Sequence, residues 1–190
     1  ASGCNALAHA AAALSGPTFD PLARLYAAEA VGLLVQALPA AVGNPRDLAV
    51  RGDLLWASWL AGSAFAATGS GLHHRLCHVL GGSYGLVHAD VHAVLLPHTV
   101  ARDSSLDLAP LSAALGLDSA DPDGAGRTLQ QLARAAGAPT GLATLGLPPD
   151  RLDDAAHEAA ATLGGHDPSW FRSLLDRAYH PDTTPEREGR

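Results

Sequence analysis

Apolar residues recur every three to four positions along most of the chain, and no stretch alternates strictly, so the pattern predicts helices throughout. Leu22, Leu25, Tyr26, Ala30, Leu33 and Leu34 share one helical face between positions 20 and 38. Asp20-Pro21 marks the start of that helix. An Asp side chain accepts from the free N–H groups of a first turn, and Pro needs no partner at the first helical position. The same spacing predicts helices over 5–14, 47–67, 73–80 and 88–102, that over 73–80 closed by the Gly81-Gly82 pair. Shorter ones are expected over 108–115, 126–136, 149–163 and 169–178, separated by Gly and Pro clusters. The expected fold is all-α, one helical domain over 1–180 with a polar, disordered tail at 181–190. Trp56 and Trp59, three apart on one helix, are expected in a core stripe. Glu29 and Arg51 are expected to pair between neighbouring helices.

Composition supports this picture. Hydrophobic residues make up 47% of the 190 and charged residues 16%, a globular balance rather than a disordered one. Ala and Leu dominate, and both lose little freedom in a helix. The formal charge is -7, and every basic residue is Arg. With no basic stripe, nucleic acid is not the expected partner. No apolar run is expected to reach the roughly 20 residues of a membrane span. Cys4 and Cys77 form no paired framework and are read as reduced, in a cytoplasmic protein. The chain opens on Ala1-Ser2-Gly3 without Met, and its start is read as processed, cut or trimmed.

Histidine changes the functional picture. There are ten, and six lie between His73 and His98. His74 and His78 are four apart and share a helix face, as do Asn5 and His9. Neutral imidazole is a common metal ligand, and Asn can add a carbonyl oxygen. With His88 from a nearby turn, these residues can surround one small site. Spacing alone leaves that site open against ordinary buried imidazoles, because no CxxC or HExxH signature fixes a geometry. His92, His98, His157, His166 and His180 are read as ordinary. Arg75 is a candidate for a substrate carboxylate, or a solvated helix-face residue. Asp90 either orients an imidazole or caps the helix after it, and Cys77 is read as packing.

Three blocks carry a family resemblance. Ser2-Gly3-Cys4-Asn5-Ala6-Leu7-Ala8-His9-Ala10, the run Gly71-Leu-His-His-Arg-Leu-Cys-His78 through Gly82, and His88-Ala-Asp-Val-His92 through Pro97 resemble blocks of the iron-containing alcohol dehydrogenase superfamily, in its maleylacetate reductase branch. The resemblance is to the helical C-terminal domain. It implies Asn5, His9, His74 and His88 at the positions of an iron or zinc site, and His74, His78 and His88 as catalytic residues. This branch resembles the present chain in carrying Asn where other members have Asp. Losing that anionic ligand weakens a divalent site, so a metal-free site is expected. The family's Glu three residues after the first-block His is Ala12 here.

The family's N-terminal dinucleotide-binding domain has no counterpart in these residues, and no glycine-rich phosphate loop occurs. The resemblance therefore implies NAD(P)H supplied by a missing segment or a separate nucleotide-binding chain. The implied reaction is reduction of the carbon–carbon double bond of an oxo-enoate diacid such as maleylacetate. Two alternatives stand beside it. One is a stand-alone isomerase, lyase, dehydratase or cyclase using the same pocket; the other is a non-catalytic binding subunit. Faces that would line a cleft are apolar, so a homo-oligomer is expected where no second chain covers them.

Overall fold

In the computed structural model, residues 2–180 are described, and they contain helices and turns but no strand. The helices are α1 (Ser2–Ser15), α2 (Pro21–Gly43), α3 (Leu48–Thr68), α4 (Leu72–Tyr84), α5 (His88–Arg102), α6 (Ala109–Ala114), α7 (Pro122–Ala135), α8 (Leu152–Leu163) and α9 (Pro168–Tyr179). Two 3₁₀ segments, Leu142–Leu145 and Pro149–Arg151, precede α8. The all-α expectation holds; the expected tail at 181–190 lies outside the described residues.

Aspartates start four of these helices. Asp20 accepts from Ala23 N–H at 2.8 Å, Asp47 from Ala49 at 2.9 Å, Asp121 from Gly124 at 2.8 Å and Asp167 from Trp170 at 2.9 Å. Three of the four are followed by Pro at the first helical position. Each cap satisfies a donor the helix cannot, worth about 1 kcal/mol.

α5 is the centre of the packing. Nine of its fifteen residues are buried, among them Val91, Val94, Leu95, Leu96 and Val100. A helix apolar on every side belongs inside. Leu96 and Val100 join a core built from α1, α2, α3, α6 and α7, while Val91, Val94 and Leu95 join a second core from α4, α8 and α9. Burying a side chain such as Leu95 is worth about 1.5–3 kcal/mol. In the first core the contacts between α1, α2 and α3 are mostly alanines, such as Ala8, Ala27, Ala30, Ala57 and Ala61, each fully buried. Small side chains bring the helix backbones close together.

The structure corrects several expectations. Trp56 and Trp59 are not core residues: they are 52% and 54% exposed and stack on each other at 5.0 Å. The buried face of α3 is Ala57, Leu60, Ala61 and Ala64, too closely packed to admit an indole. Glu29 and Arg51 form no ion pair; Arg51 donates to the Pro45 carbonyl instead. α4 does not stop at Gly81-Gly82. Both glycines stay helical, Ser83 bonds Glu158 on α8, and the helix ends at Gly85, whose φ of +65° suits a residue without Cβ. α7 begins at Pro122 rather than 126, under the same Asp-Pro signal that starts α2. α2 runs past Pro39 to Gly43. It is also long and apolar enough to cross a membrane by length and hydropathy, against the sequence expectation. Here its buried face, including Ala27, Val31 and Leu34, packs in the first core.

Gly126 is where α7 meets α5. A Cβ there would lie 2.7 Å from the Pro97 carbonyl oxygen and 3.1 Å from Ala101 Cβ. Gly126→Ala is therefore expected to lower stability by about 1–3 kcal/mol through overpacking, against the roughly 1 kcal/mol helix-propensity gain that alanine brings. Urea denaturation measures this; a midpoint equal to or above that of the parent would refute the close approach.

Candidate active site

α1 and α4 both pack on α5, and each brings imidazoles to the contact. His9 comes from α1, His73, His74 and His78 from α4, and His88 and His92 from α5. On α5, His88 and His92 are four apart and face the same way, as do His74 and His78 on α4. Phe65 from the end of α3 closes one side, stacked on His9 with ring centroids 4.4 Å apart.

The rings form a continuous cluster. His9 stacks on His74 at 4.9 Å, His74 meets His92 at 4.3 Å, His92 meets His88 edge-on at 4.4 Å, and His88 meets His78 at 5.0 Å. A hydrogen-bonded row runs through it. Thr99 Oγ1 and His73 Nδ1 are 2.9 Å apart, His73 Nε2 and His92 Nδ1 2.9 Å, and His92 Nε2 and His88 Nε2 3.0 Å. His92 is fully buried and His74 is 3% exposed, whereas His78 and His88 are exposed. The cluster thus leads from the core to the surface.

Burial dominates the electrostatics. It pushes His73 and His74 down to about 3, with neighbouring imidazoles adding to the effect, and pushes His92 lower still. His9 and His88 are lowered by burial first, then by a neighbouring imidazole. These rings are therefore neutral at pH 7, each with one N–H and one lone pair. Such groups can ligate a cation or donate to an oxyanion.

Among the site residues, Asn5 has a buried polar atom with no partner at Oδ1, and His74 has two, its ring nitrogens. Buried polar atoms are rarely orphaned, and an imidazole with both nitrogens open beside other imidazoles offers its atoms to a water, an ion or a ligand. A neutral nitrogen and oxygen set of this kind fits a divalent cation of the first transition row. Among the described residues, the imidazoles whose ligand atoms gather within 4.8 Å are His73, His74 and His92. His9 and His88 adjoin that group through His74 and His92.

Of the residues singled out from sequence, His9, His74, His78 and His88 meet in one cluster, and Asn5 lies one helical turn before His9, half-buried. Arg75 does not join them. Its guanidinium donates to the Thr162 and Leu163 carbonyls at the end of α8, at 3.3 and 3.2 Å. Asp90 makes no hydrogen bond to an imidazole; it sits in the first turn of α5, where a carboxylate suits the helix dipole. Cys77 is buried, its thiol raised by burial. Sequence reasoning missed His73 and His92. The His88/His92 spacing of four, identical to that of His74/His78, was the available signal.

Comparisons with known proteins bear on the family and the fold. The family model described as "Fe-containing alcohol dehydrogenase family, C-terminal" matches residues 1–172. A maleylacetate reductase of Rhizobium sp. (strain MTP-10005) is 40% identical over 190 residues, covering 94% of this chain and 51% of that protein. Maleylacetate reductase 2 of Cupriavidus pinatubonensis is 45% identical over 136 residues, covering 70% of this chain and 37% of its own length. The crystal structure of a maleylacetate reductase from Agrobacterium tumefaciens superposes with a TM-score of 0.81 at 40% identity, covering 94% of this chain and 51% of that one. The chain thus spans about half the length of the Rhizobium and Agrobacterium proteins it matches.

The depressed imidazoles make stability depend on pH with a definite sign. A histidine whose folded pKa lies below 6.5 leaves stability intact above 6.5. Below that, the unfolded chain takes up protons the folded one refuses, and stability falls until the folded pKa is reached. His73, held near 3, and His98, held near 4, set a window from about pH 6.5 down to 3–4. Together they are expected to cost about 2 kcal/mol between pH 7 and pH 5.5. Denaturant midpoints measured across that range test this; a flat profile would contradict neutral buried imidazoles.

Proposed function

This chain belongs to the Fe-containing alcohol dehydrogenase family, whose C-terminal domain it matches, and from that premise we propose that it is the substrate side of a maleylacetate-reductase-like enzyme. The observation that carries the reading is the imidazole cluster, running from buried His92 to exposed His78 and His88, on the fold shared with maleylacetate reductases.

On this reading the substrate is an oxo-enoate dicarboxylate. Hydride added to the alkene carbon β to the ketone drives the electron pair onto the carbonyl oxygen. The resulting enolate needs hydrogen-bond donors, and its α-carbon then needs a proton. His74 is buried with both ring nitrogens unpartnered, and on this reading its N–H donates to that oxygen. In a dry site a fixed donor of this kind is worth several kcal/mol. On this reading His78 and His88, both exposed, pass the proton between solvent and substrate. General acid–base help of this type contributes about 10²–10⁴ in rate.

The described residues do not fit a dinucleotide. They contain no strand, and so no strand–glycine loop–helix unit to cradle a pyrophosphate. NAD(P)H, on this reading, is held by a nucleotide-binding half. A divalent cation does fit the donors: Asn5, His9, His74 and His88 would hold it. When bound it would supply Lewis-acid polarisation of a substrate oxygen. Without a carboxylate among them its affinity is low, and the proposed site works on imidazole donors alone. The proposed partners are the dicarboxylate, and either the nucleotide-binding half or a second copy covering exposed apolar residues such as Trp56 and Trp59. Action in the cytoplasm accords with two unpaired, buried cysteines.

Two measurements test this. The chain combined with the nucleotide-binding half of a maleylacetate reductase, NADH and maleylacetate is expected to consume nicotinamide absorbance, and His74→Ala to slow it by about 10²–10³. No turnover in that mixture would overturn the reading, and turnover of a substrate by the chain without nucleotide would replace it with a non-redox enzyme. In the purified chain, light scattering is expected to show an assembly larger than the 19.3 kDa monomer, and elemental analysis less than one iron or zinc per chain. A stable monomer, or a stoichiometric metal, would refute the corresponding part.

A further inference from the structure

Thr99 stands at the inner end of the imidazole row, and its hydroxyl sets the direction of every hydrogen bond beyond it. Thr99 Oγ1 lies 3.1 Å from the carbonyl oxygens of both Leu95 and Leu96. Carbonyls only accept, so the single hydroxyl proton is directed to them. His73 Nδ1, 2.9 Å from the same oxygen, must then be the donor. A neutral imidazole has one N–H, so His73 Nε2 is a lone pair and accepts from His92 Nδ1 at 2.9 Å. His92 Nε2 is in turn a lone pair and accepts from His88 Nε2 at 3.0 Å. His88 Nδ1 is left as a lone pair. The reverse direction would point the Thr99 proton at His73 and leave its oxygen facing two carbonyls with no proton between.

We infer that Thr99, His73 and His92 are positioning residues, which together lock His88 in the Nε2–H tautomer and leave its Nδ1 lone pair as the nitrogen free for a ligand. The inference rests on His88 belonging to the site, as proposed above. Its physical basis is enclosure. Thr99 and His92 are buried and His73 is half-buried, and both nitrogens of each middle ring are committed within the row. Burial also keeps His73 and His92 neutral, so protonation does not scramble the order at neutral pH. An imidazole oriented by its second nitrogen is how proteins fix which ring atom does the work. Here the orienting groups are two further imidazoles and a hydroxyl instead of a carboxylate. They add no charge, and the row remains compatible with a fully buried His92. Any proton that His88 passes moves on and off Nδ1, while Nε2–H stays bonded to His92.

Nitrogen NMR of the histidine-labelled chain at pH 7.5, without substrate or cofactor, reads the tautomers directly. The expected pattern is His73 and His92 protonated at Nδ1 and His88 protonated at Nε2. Thr99→Val removes the terminal acceptor three links from His88 and is expected to shift all three toward the opposite tautomers. Thr99→Ser, which keeps the hydroxyl, is expected to restore the parent pattern. A proton on Nε2 of His73 or His92 in the parent chain overturns the inference. So does a folded Thr99→Val variant, checked by circular dichroism, in which all three tautomers are unchanged. Should Thr99→Val not fold, the parent spectrum decides alone. Because no turnover is read, failure here leaves the reductase reading standing, and failure of that reading leaves the tautomers as measured.

Discussion

His92 is wholly buried in the middle of α5, and it can be there only because it is neutral and both its ring nitrogens are hydrogen-bonded. An imidazolium at that depth would pay a desolvation cost that no carboxylate in the cluster offsets. Its partners are themselves imidazoles, His73 and His88, so the arrangement is satisfied without charge. The rest of the site follows from this. His74 and His9 stack against the same core, and only the outermost rings, His78 and His88, meet solvent. A polar, ligand-ready wall is thereby built into an otherwise apolar helix contact.

That wall depends on the placement of α5. It is shared by both hydrophobic cores, and α1 and α4 reach it from the sides that carry the other histidines. Alanine-rich contacts among α1, α2 and α3, and a bare Gly126 against Pro97, let the surrounding helices approach closely enough to hold it. The same close packing turns Trp56 and Trp59 outward, where they form a stacked pair on the surface of α3.

The family to which the chain belongs is named for iron, yet the donors gathered here are uncharged. Asn5 offers an amide oxygen and the remaining donors are imidazoles, and Asp90, in the first turn of α5, makes no hydrogen bond to them. A set of this kind has the right atoms for a cation but little electrostatic pull on one. It is equally suited to donating hydrogen bonds to a developing enolate, as the proposed chemistry requires.

Helix number, helix type and most boundaries were legible in the sequence, because apolar periodicity and Asp-Pro starts are local signals. Of the misjudged ends, that of α4 was settled at a distance, since it continues through two glycines where Ser83 meets Glu158 on α8, whereas α7 starts early at a local Asp-Pro signal. In the site, His9, His74, His78 and His88 stood out by spacing and by resemblance to a family. His73 and His92 did not: His92 shares with His88 the spacing of four, but spacing alone does not separate a core histidine from one in a hydrogen-bonded row. Arg75, left open between a substrate contact and a solvated helix face, lies exposed on another face of the helix than His74 and reaches α8. The sequence by itself determined that this is a helical chain with histidines concentrated on its fourth and fifth helices. Only the tertiary structure decided which imidazoles touch, which are buried and which nitrogen each commits, because those depend on how α1, α4 and α5 cross, and crossing is set by packing that no single segment encodes.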